Sequence, residues 1–174
     1  LKALFNQTYP RKDYEVVVVN DGSTDRTEEI AKKFPVKLVN LKENKGRVIA
    51  REEGAKAAKY DLLLFIDCRC IADKNWIKDL VEIGYQPALG NNNALIDKSS
   101  SFARFIYLLR DKYYKKIDKP VYVTEKNFDR IPKGTANFLC SKKLFLESSP
   151  KEKEKHVSDD IKLFRNIVKK RKIL

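Results

Sequence analysis

The 174-residue sequence predicts an α/β fold, a mostly parallel sheet flanked by helices, and three observations carry that expectation. Residues 16–19 are four consecutive valines, β-branched and therefore suited to a strand covered on both faces rather than to a helix. A second unbroken apolar run, Leu62–Ile66, has the same character. Segments of helical period lie between and after these runs, and that alternation belongs to parallel sheets joined by crossovers.

Taken in order, Leu1, Leu4 and Phe5 follow helical spacing, and Pro10 closes that segment. Glu15–Asn20 reads as the first strand. Asn20 and Asp21 fall at its carboxyl end, Gly22 permits a tight turn, and Thr24 or Asp25 can cap the next helix. That helix runs from Asp25 to Phe34, with Ile30 and Phe34 on one face. Val36–Leu41 reads as a strand and Arg47–Ala58 as a helix rich in Ala, Glu and Lys. After the Leu62–Ile66 strand, Trp76, Leu80 and Ile83 mark the inner face of a helix that stops at Gly84. Beyond residue 90, Asn91–Asn93 and Ser99–Ser101 look like loop or cap signals. Phe102, Phe105, Ile106, Leu109 and Tyr113 repeat at threes and fours between basic residues, the pattern of a packed helix or of one lying on a membrane surface. Short strands are expected near Val121–Thr124 and Ala136–Cys140, and a last helix opens at Ser158 with Ile161, Phe164 and Val168 inward. No internal repeat or linker divides the chain, so residues 1–174 are expected to form one domain.

Composition narrows the class. At 43% hydrophobic and 35% charged, the chain suits a charged globule with a core, not a disordered polymer. No apolar stretch approaches the roughly 20 residues that span a bilayer. Three cysteines without a regular framework point to a reducing compartment. The expected location is cytoplasmic, with peripheral attachment at the cytoplasmic membrane face left open. Cys68 and Cys70, two apart, could suggest a metal pair, but zinc sites usually want wider spacing and four ligands, and the one histidine, His156, adds little. Residues 1–97 hold 16 basic and 15 acidic side chains, whereas 98–174 hold 21 and 9, so nearly all of the net +13 lies in the second part. That half suits an anionic partner: a diphosphate, an acidic membrane surface, an anionic glycan or nucleic acid. A solvated lysine-rich surface is the bland alternative.

Three carboxylate sites recur at element ends: Asp21, Asp67 and the pair Asp159-Asp160. Ligands of open α/β sheets bind at the carboxyl ends of the strands, where Asp21 and Asp67 both fall. Carboxylate oxygens there suit a ribose hydroxyl or a base N–H. Asp159 and Asp160 follow Ser158, a good N-cap, and so occupy the first turn, where the helix dipole favours the ionised form. An ionised carboxylate at such an edge can take a proton from an attacking hydroxyl. Each acid alone could equally be a cap or a surface residue.

Asn20-Asp21-Gly22-Ser23-Thr24-Asp25, Asn44-Lys45-Gly46 with Ala50-Arg51 and Gly54, Phe65-Ile66-Asp67, and Ser158-Asp159-Asp160 occur in this order. Together with the leading Asn6-Gln7-Thr8-Tyr9-Pro10, this set resembles the inverting, nucleotide-sugar-dependent glycosyltransferases of family 2, which have the Rossmann-like GT-A fold. The resemblance is close over residues 1 to about 83 and looser beyond. It implies that Asp21, in the Asp21-Gly22-Ser23 turn, meets the nucleotide base, usually uracil. It implies further that Arg51 helps hold the nucleotide, Asp67 approaches the ribose, and Asp160 is the general base on the acceptor hydroxyl. Asp159 stands where the family has a glutamate, and Gly134 begins the Gly-Thr-Ala-Asn stretch on the acceptor side. Residues 1–97 would then be the nucleotide-binding half and 98–174 a basic acceptor-side half. The implied reaction moves a sugar from a nucleotide diphosphate, most often UDP, to the hydroxyl of a glycan or lipid-linked glycan in cell-wall or polysaccharide synthesis.

Two departures from the family pattern matter. The second acid of the family's Asp-x-Asp motif would fall at residue 69, and the chain has Asp67-Cys68-Arg69. A carboxylate there would ligate Mg²⁺ or Mn²⁺ with Asp67 across the diphosphate. Arginine cannot hold a cation, but its charge can pair with phosphate oxygens directly. The readings are a metal-independent site using Arg69, an inactive homologue, or an Arg69 that points at solvent. The second departure is at the amino end, where the family places a strand ahead of the helix in which Leu1 falls, so a sheet lacking its first strand is expected. A nucleic-acid-binding module is the remaining rival. No DNA or RNA motif supports it, and the edge carboxylates would repel a phosphate backbone.

Overall fold

A computed structural model describes residues 1–84, 86–90, 119–131, 134–150 and 159–174, with the backbone alone at Asp159. The expected helix over 102–113, the Asn91–Asn93 and Ser99–Ser101 signals and the Ser158 cap lie outside these residues.

Strand β1 (Val17–Asp21) pairs in parallel with β2 (Lys37–Leu41), Val17 opposite Lys37 and Asp21 opposite Leu41. Helix α1 (Thr27–Lys32) makes the crossover, and Asp25 accepts a hydrogen bond from the Thr27 amide at its start (2.9 Å). Helix α2 (Arg47–Ala57) lies close against β1: a Cβ on Gly54 would come within 2.9 Å of Val19 Cγ2. Then follow β3 (Leu62–Ile66), α3 (Trp76–Glu82), the two-residue β4 (Ala88–Leu89), β5 (Asn137–Ser141), α4 (Lys142–Ser148) and α5 (Asp159–Lys170). β5 pairs antiparallel with both β3 and β4, giving the order β3-β5-β4. The sheet is thus in two parts, one parallel and one antiparallel. Among the described residues no strand pairs with the second edge of β1 or of β3.

The core joins the two parts. Ala55 and Ala58 of the α2 region, Leu63, Phe138, Phe145, Leu163, Phe164 and Ile167 form one buried cluster, against which Val17 and Phe65 pack. Phe65 lies 4.5 Å from Phe145 and Phe138 meets Phe164 edge-on at 5.0 Å, ring separations at which aromatic pairs attract beyond their buried area. Lys142 donates from Nζ to the Lys56 and Ala58 carbonyls (3.2 and 2.7 Å), satisfying the last turn of α2 with a cation where its dipole is negative.

Three inward assignments fail. Ile30, Ile83 and Ile161 are 48%, 44% and 47% exposed, while Ala31, Leu80 and Phe164 are buried. α1 has only six residues and α3 seven, so each buries a narrow stripe and the neighbouring isoleucine is left outside. The expected strand at Val121–Thr124 is a single bridge between Val123 and Ile173. The amino-terminal helical spacing resolves into a short 3₁₀ turn, Lys2–Phe5. Gln7 and Thr8 then dock beside the start of α3: Gln7 accepts from the Ile77 amide (3.0 Å) and donates to the Asp73 carbonyl (2.7 Å).

Candidate active site

The turn after β1 is built around two asparagine bonds and one glycine. Asn20, 5% exposed, donates to Asn40 Oδ1 across the parallel pair (3.2 Å) and accepts from the Ser23 amide (3.1 Å). Gly22 has φ +67°, and a Cβ there would lie 2.5 Å from backbone atoms of Glu43 and Asn44. Only glycine allows the β2–α2 loop to come so close. That approach brings the Lys45 and Gly46 amides onto Asp21, whose carboxylate accepts from them at 2.7 and 2.9 Å. Asp21 therefore holds the entrance to α2, where a negative charge is favoured by the helix dipole. Ser23 is exposed.

Arg51 is the centre of the site. Along α2, Val48, Arg51, Glu52 and Ala55 share one face by helical spacing, and Val48, Glu52 and Ala55 are buried. Arg51 lies on that stripe with its side chain 15% exposed. Its guanidinium donates to Asp160 Oδ1 at 2.7 Å, a charge-assisted bond, and faces Asp67 Oδ1 at 3.6 Å. Beside it Glu52, also buried, accepts from the Ser149 hydroxyl (2.5 Å) and ties α2 to the end of α4. An arginine and a glutamate on the buried stripe of a helix are a sequence signal for an interior polar network.

Asp67 sits one residue past β3, as expected. Asp160 is placed by α5: Leu163 and Phe164, three and four residues on, are buried in the core and anchor its face. The other oxygen of Asp160 accepts from the Thr135 hydroxyl at 3.2 Å, and Thr135 is 2% exposed. Thr135 reaches it because Ile66 pairs with Asn137 in the antiparallel ladder, so the end of β3 and the start of β5 share one edge. Trp76 fixes that start by donating from Nε1 to Asn137 Oδ1 (2.8 Å). Gly134 opens the stretch with nothing within 4 Å of where a Cβ would stand.

Asp67, Arg51 and Asp160 are thus brought together. Asp21 makes no direct contact with them; it holds the start of the helix that carries Arg51. Arg69 is 84% exposed and its guanidinium stands 3.7 Å from Asp67. The side chain of Asp159 is outside the described residues. Sequence reasoning missed Thr135 as a partner of Asp160, and it missed the Arg51–Asp160 bond, which spans 109 residues.

Among the described residues the donors around Asp67 do not fit a divalent cation. Asp67 is the one carboxylate at the motif, and guanidinium groups of Arg51 and Arg69 face it at 3.6 and 3.7 Å. Among the described residues no three His, Cys, Asp or Glu side chains gather where an ion could be held. A space of about 10 Å³ bordered by Val48, Arg51, Phe145, Pro150, Asp160 and Leu163 is close to what one water needs. A cavity of about 290 Å³ beside Lys143, Glu147, Lys170 and Arg171 touches none of these residues. It lies by the far end of α5, about 15 Å from Asp160 at the helical rise. Among the described residues no helix is long and apolar enough to cross a membrane.

A model described as glycosyl transferase family 2 matches residues 1–145. Glycosyltransferase AglE of Haloferax volcanii is 37% identical over 83 residues, covering 45% of this chain and 27% of that protein. Glycosyltransferase GlyA of Streptococcus pneumoniae is 31% identical over 137 residues, covering 74% and 19%. A poly-beta-1,6-N-acetyl-D-glucosamine synthase of Staphylococcus epidermidis is 32% identical over 108 residues, covering 58% and 26%. The matched stretches therefore span about a fifth to a quarter of these relatives. The crystal structure of S. aureus TarS 1-349 has a TM-score of 0.70 at 23% identity, covering 99% of this chain and 52% of that one. Its complex with UDP gives 0.69 over the same shares, also at 23% identity. With the ordered motifs, the α/β architecture and these likenesses in agreement, the chain belongs to glycosyl transferase family 2 and has the GT-A fold.

Proposed function

We propose that the chain transfers a sugar from a UDP-sugar to the hydroxyl of a glycan or lipid-linked glycan, with inversion at the anomeric carbon. The observation that carries this is the ion-pair chain Asp67–Arg51–Asp160, which links the acid expected at the ribose to the acid expected at the acceptor. The UDP complex of a protein with the same fold supports the choice of nucleotide. Relatives named for polysaccharide synthesis support a glycan product.

In this reading the nucleotide lies along the strand ends, its base by the Asp21–Ser23 turn and Arg51 and its ribose by Asp67. Asp160 takes the proton of the acceptor hydroxyl while that oxygen attacks the anomeric carbon. The bond from that carbon to the diphosphate oxygen breaks, and UDP leaves with the pair of electrons. Arg69, exposed and next to Asp67, supplies positive charge to the departing diphosphate in place of a metal ion. Peripheral contact of the basic carboxyl-terminal half with an anionic cytoplasmic membrane face is part of the same proposal.

The test is Asp160→Asn. UDP affinity by equilibrium dialysis should be retained while turnover falls about 10²–10⁴-fold, the span of a lost general base. Unchanged turnover overturns the role of Asp160. UDP binding without turnover in the unaltered chain, across a panel of UDP-sugars and glycan acceptors, identifies an inactive homologue instead. Metal independence is checked with excess chelator: a complete loss restored by Mn²⁺ rejects it.

A further inference from the structure

We infer that Thr135 is a positioning residue for Asp160, holding the base carboxylate at the angle from which it meets the acceptor hydroxyl; the inference rests on the role proposed for Asp160. Asp160 has two carboxylate oxygens and each has its own partner: Arg51 at 2.7 Å on Oδ1 and Thr135 at 3.2 Å on Oδ2. One bond alone leaves a carboxylate free to rotate about its last torsion, which is broad and roughly two-fold. A second bond to the other oxygen, from a donor on a different element, fixes the plane.

The two donors differ in what they can do during the reaction. Arg51 also faces Asp67 at 3.6 Å, so its guanidinium is shared between the expected nucleotide side and the base. A nucleotide drawn to Arg51 competes for it. Thr135 is not shared in this way: it is 2% exposed, and its hydroxyl donates to Asp160. Its backbone is held by neighbours outside the ion-pair chain. Asn137, two residues on, pairs with Ile66, accepts from Trp76 and is crowded by Gly90, where a Cβ would collide with the Asn137 side chain. Thr135, two residues before the ladder, is therefore held near the end of β3 while Arg51 engages the donor, and it keeps Asp160 oriented through that step.

A merely structural role is the alternative: a buried hydroxyl needs an acceptor, and Asp160 provides one. The two readings separate in kinetics. The probes are UDP-glucose, UDP-galactose, UDP-N-acetylglucosamine and UDP-N-acetylgalactosamine, with UDP release followed for whichever the full chain turns over. Thr135→Val should lower kcat about tenfold with KM and UDP affinity within roughly twofold of the unaltered chain, and Thr135→Ser should restore most of the loss. Melting temperatures of both variants monitor folding, and Thr135→Ala replaces the valine variant if that one fails to fold. Wild-type kcat in Thr135→Val, or a loss that serine does not restore, overturns the inference. So does a crystal structure of the variant in which Asp160 keeps its rotamer. Should Asp160→Asn itself retain turnover, or no UDP-sugar be turned over at all, the reading of Asp160 fails first and the inference falls with it. Loss in Asp160→Asn with none in Thr135→Val removes the inference alone.

Discussion

Asp21 and Asp160 are both carboxylates beside α2, yet the chain holds them in different ways. Asp21 is gripped by main chain, the Lys45 and Gly46 amides, on a turn whose glycine admits no side chain. Asp160 is gripped by side chains, Arg51 and Thr135, from two other elements. Backbone amides move only when the loop moves, so Asp21 is fixed at the cost of a strict local sequence. A side-chain grip can exchange partners as ligands arrive. In the proposed reaction Asp160 accepts a proton and releases it, which a side-chain grip allows; Asp21 shapes a turn and has no such need.

Substitutions can break or sharpen this contrast, and the largest effect is expected at Gly22. Gly22→Ala forces a side chain into a left-handed backbone and against the β2–α2 loop, for a loss of about 3 kcal/mol. In a chain of this size that lowers the melting temperature by roughly 6–12 °C, measurable by calorimetry. Next, Asp21→Ala leaves two amides without their acceptor and should cost about 2 kcal/mol in urea unfolding, with Asp21→Asn recovering about half. Asp160→Asn should stay within about 1 kcal/mol of the unaltered chain in the same experiment, because serviceable hydrogen bonds remain. If it costs as much as Asp21→Ala, the contrast between the two acids is wrong.

A smaller effect concerns the Arg51–Asp160 pair, which is partly screened at 15% and 22% exposure. A double-mutant cycle with Arg51→Met and Asp160→Asn should give a coupling of about 1–2 kcal/mol. A value near zero would show that the 2.7 Å bond does not hold Asp160. The smallest expected change is at the thiols. Cys68 and Cys70 are exposed beside Asp67, whereas burial pushes the Cys140 thiol well above its ordinary range. In the native protein two thiols should therefore react with iodoacetamide at neutral pH and the third only on unfolding, as read by mass spectrometry.

Strands β1 and β3 were legible because each is a local run: the valines of β1, and Leu62–Ile66, whose limits the structure reproduces. Asp67 followed from that boundary. What the sequence could not show depends on contacts far along the chain. The direction of β5 is not encoded in its own residues, so its antiparallel pairing, and with it the meeting of Thr135 and Asp160, could not be read off. Ile30 and Ile83 misled for another reason. In a helix of two turns, period alone cannot tell the residue that faces the core from its neighbour. Arg51 was found through family resemblance, and its bond to Asp160 only through the fold.

The rung between Ile66 and Asn137 ties together the two ends of a stretch of about seventy residues. Asp67 and Thr135 flank that rung by one and two residues, so their separation is set by the ladder together with β4 and the Trp76 bond to Asn137. Changes of length elsewhere in that stretch leave this spacing as it is, provided Trp76 and β4 remain.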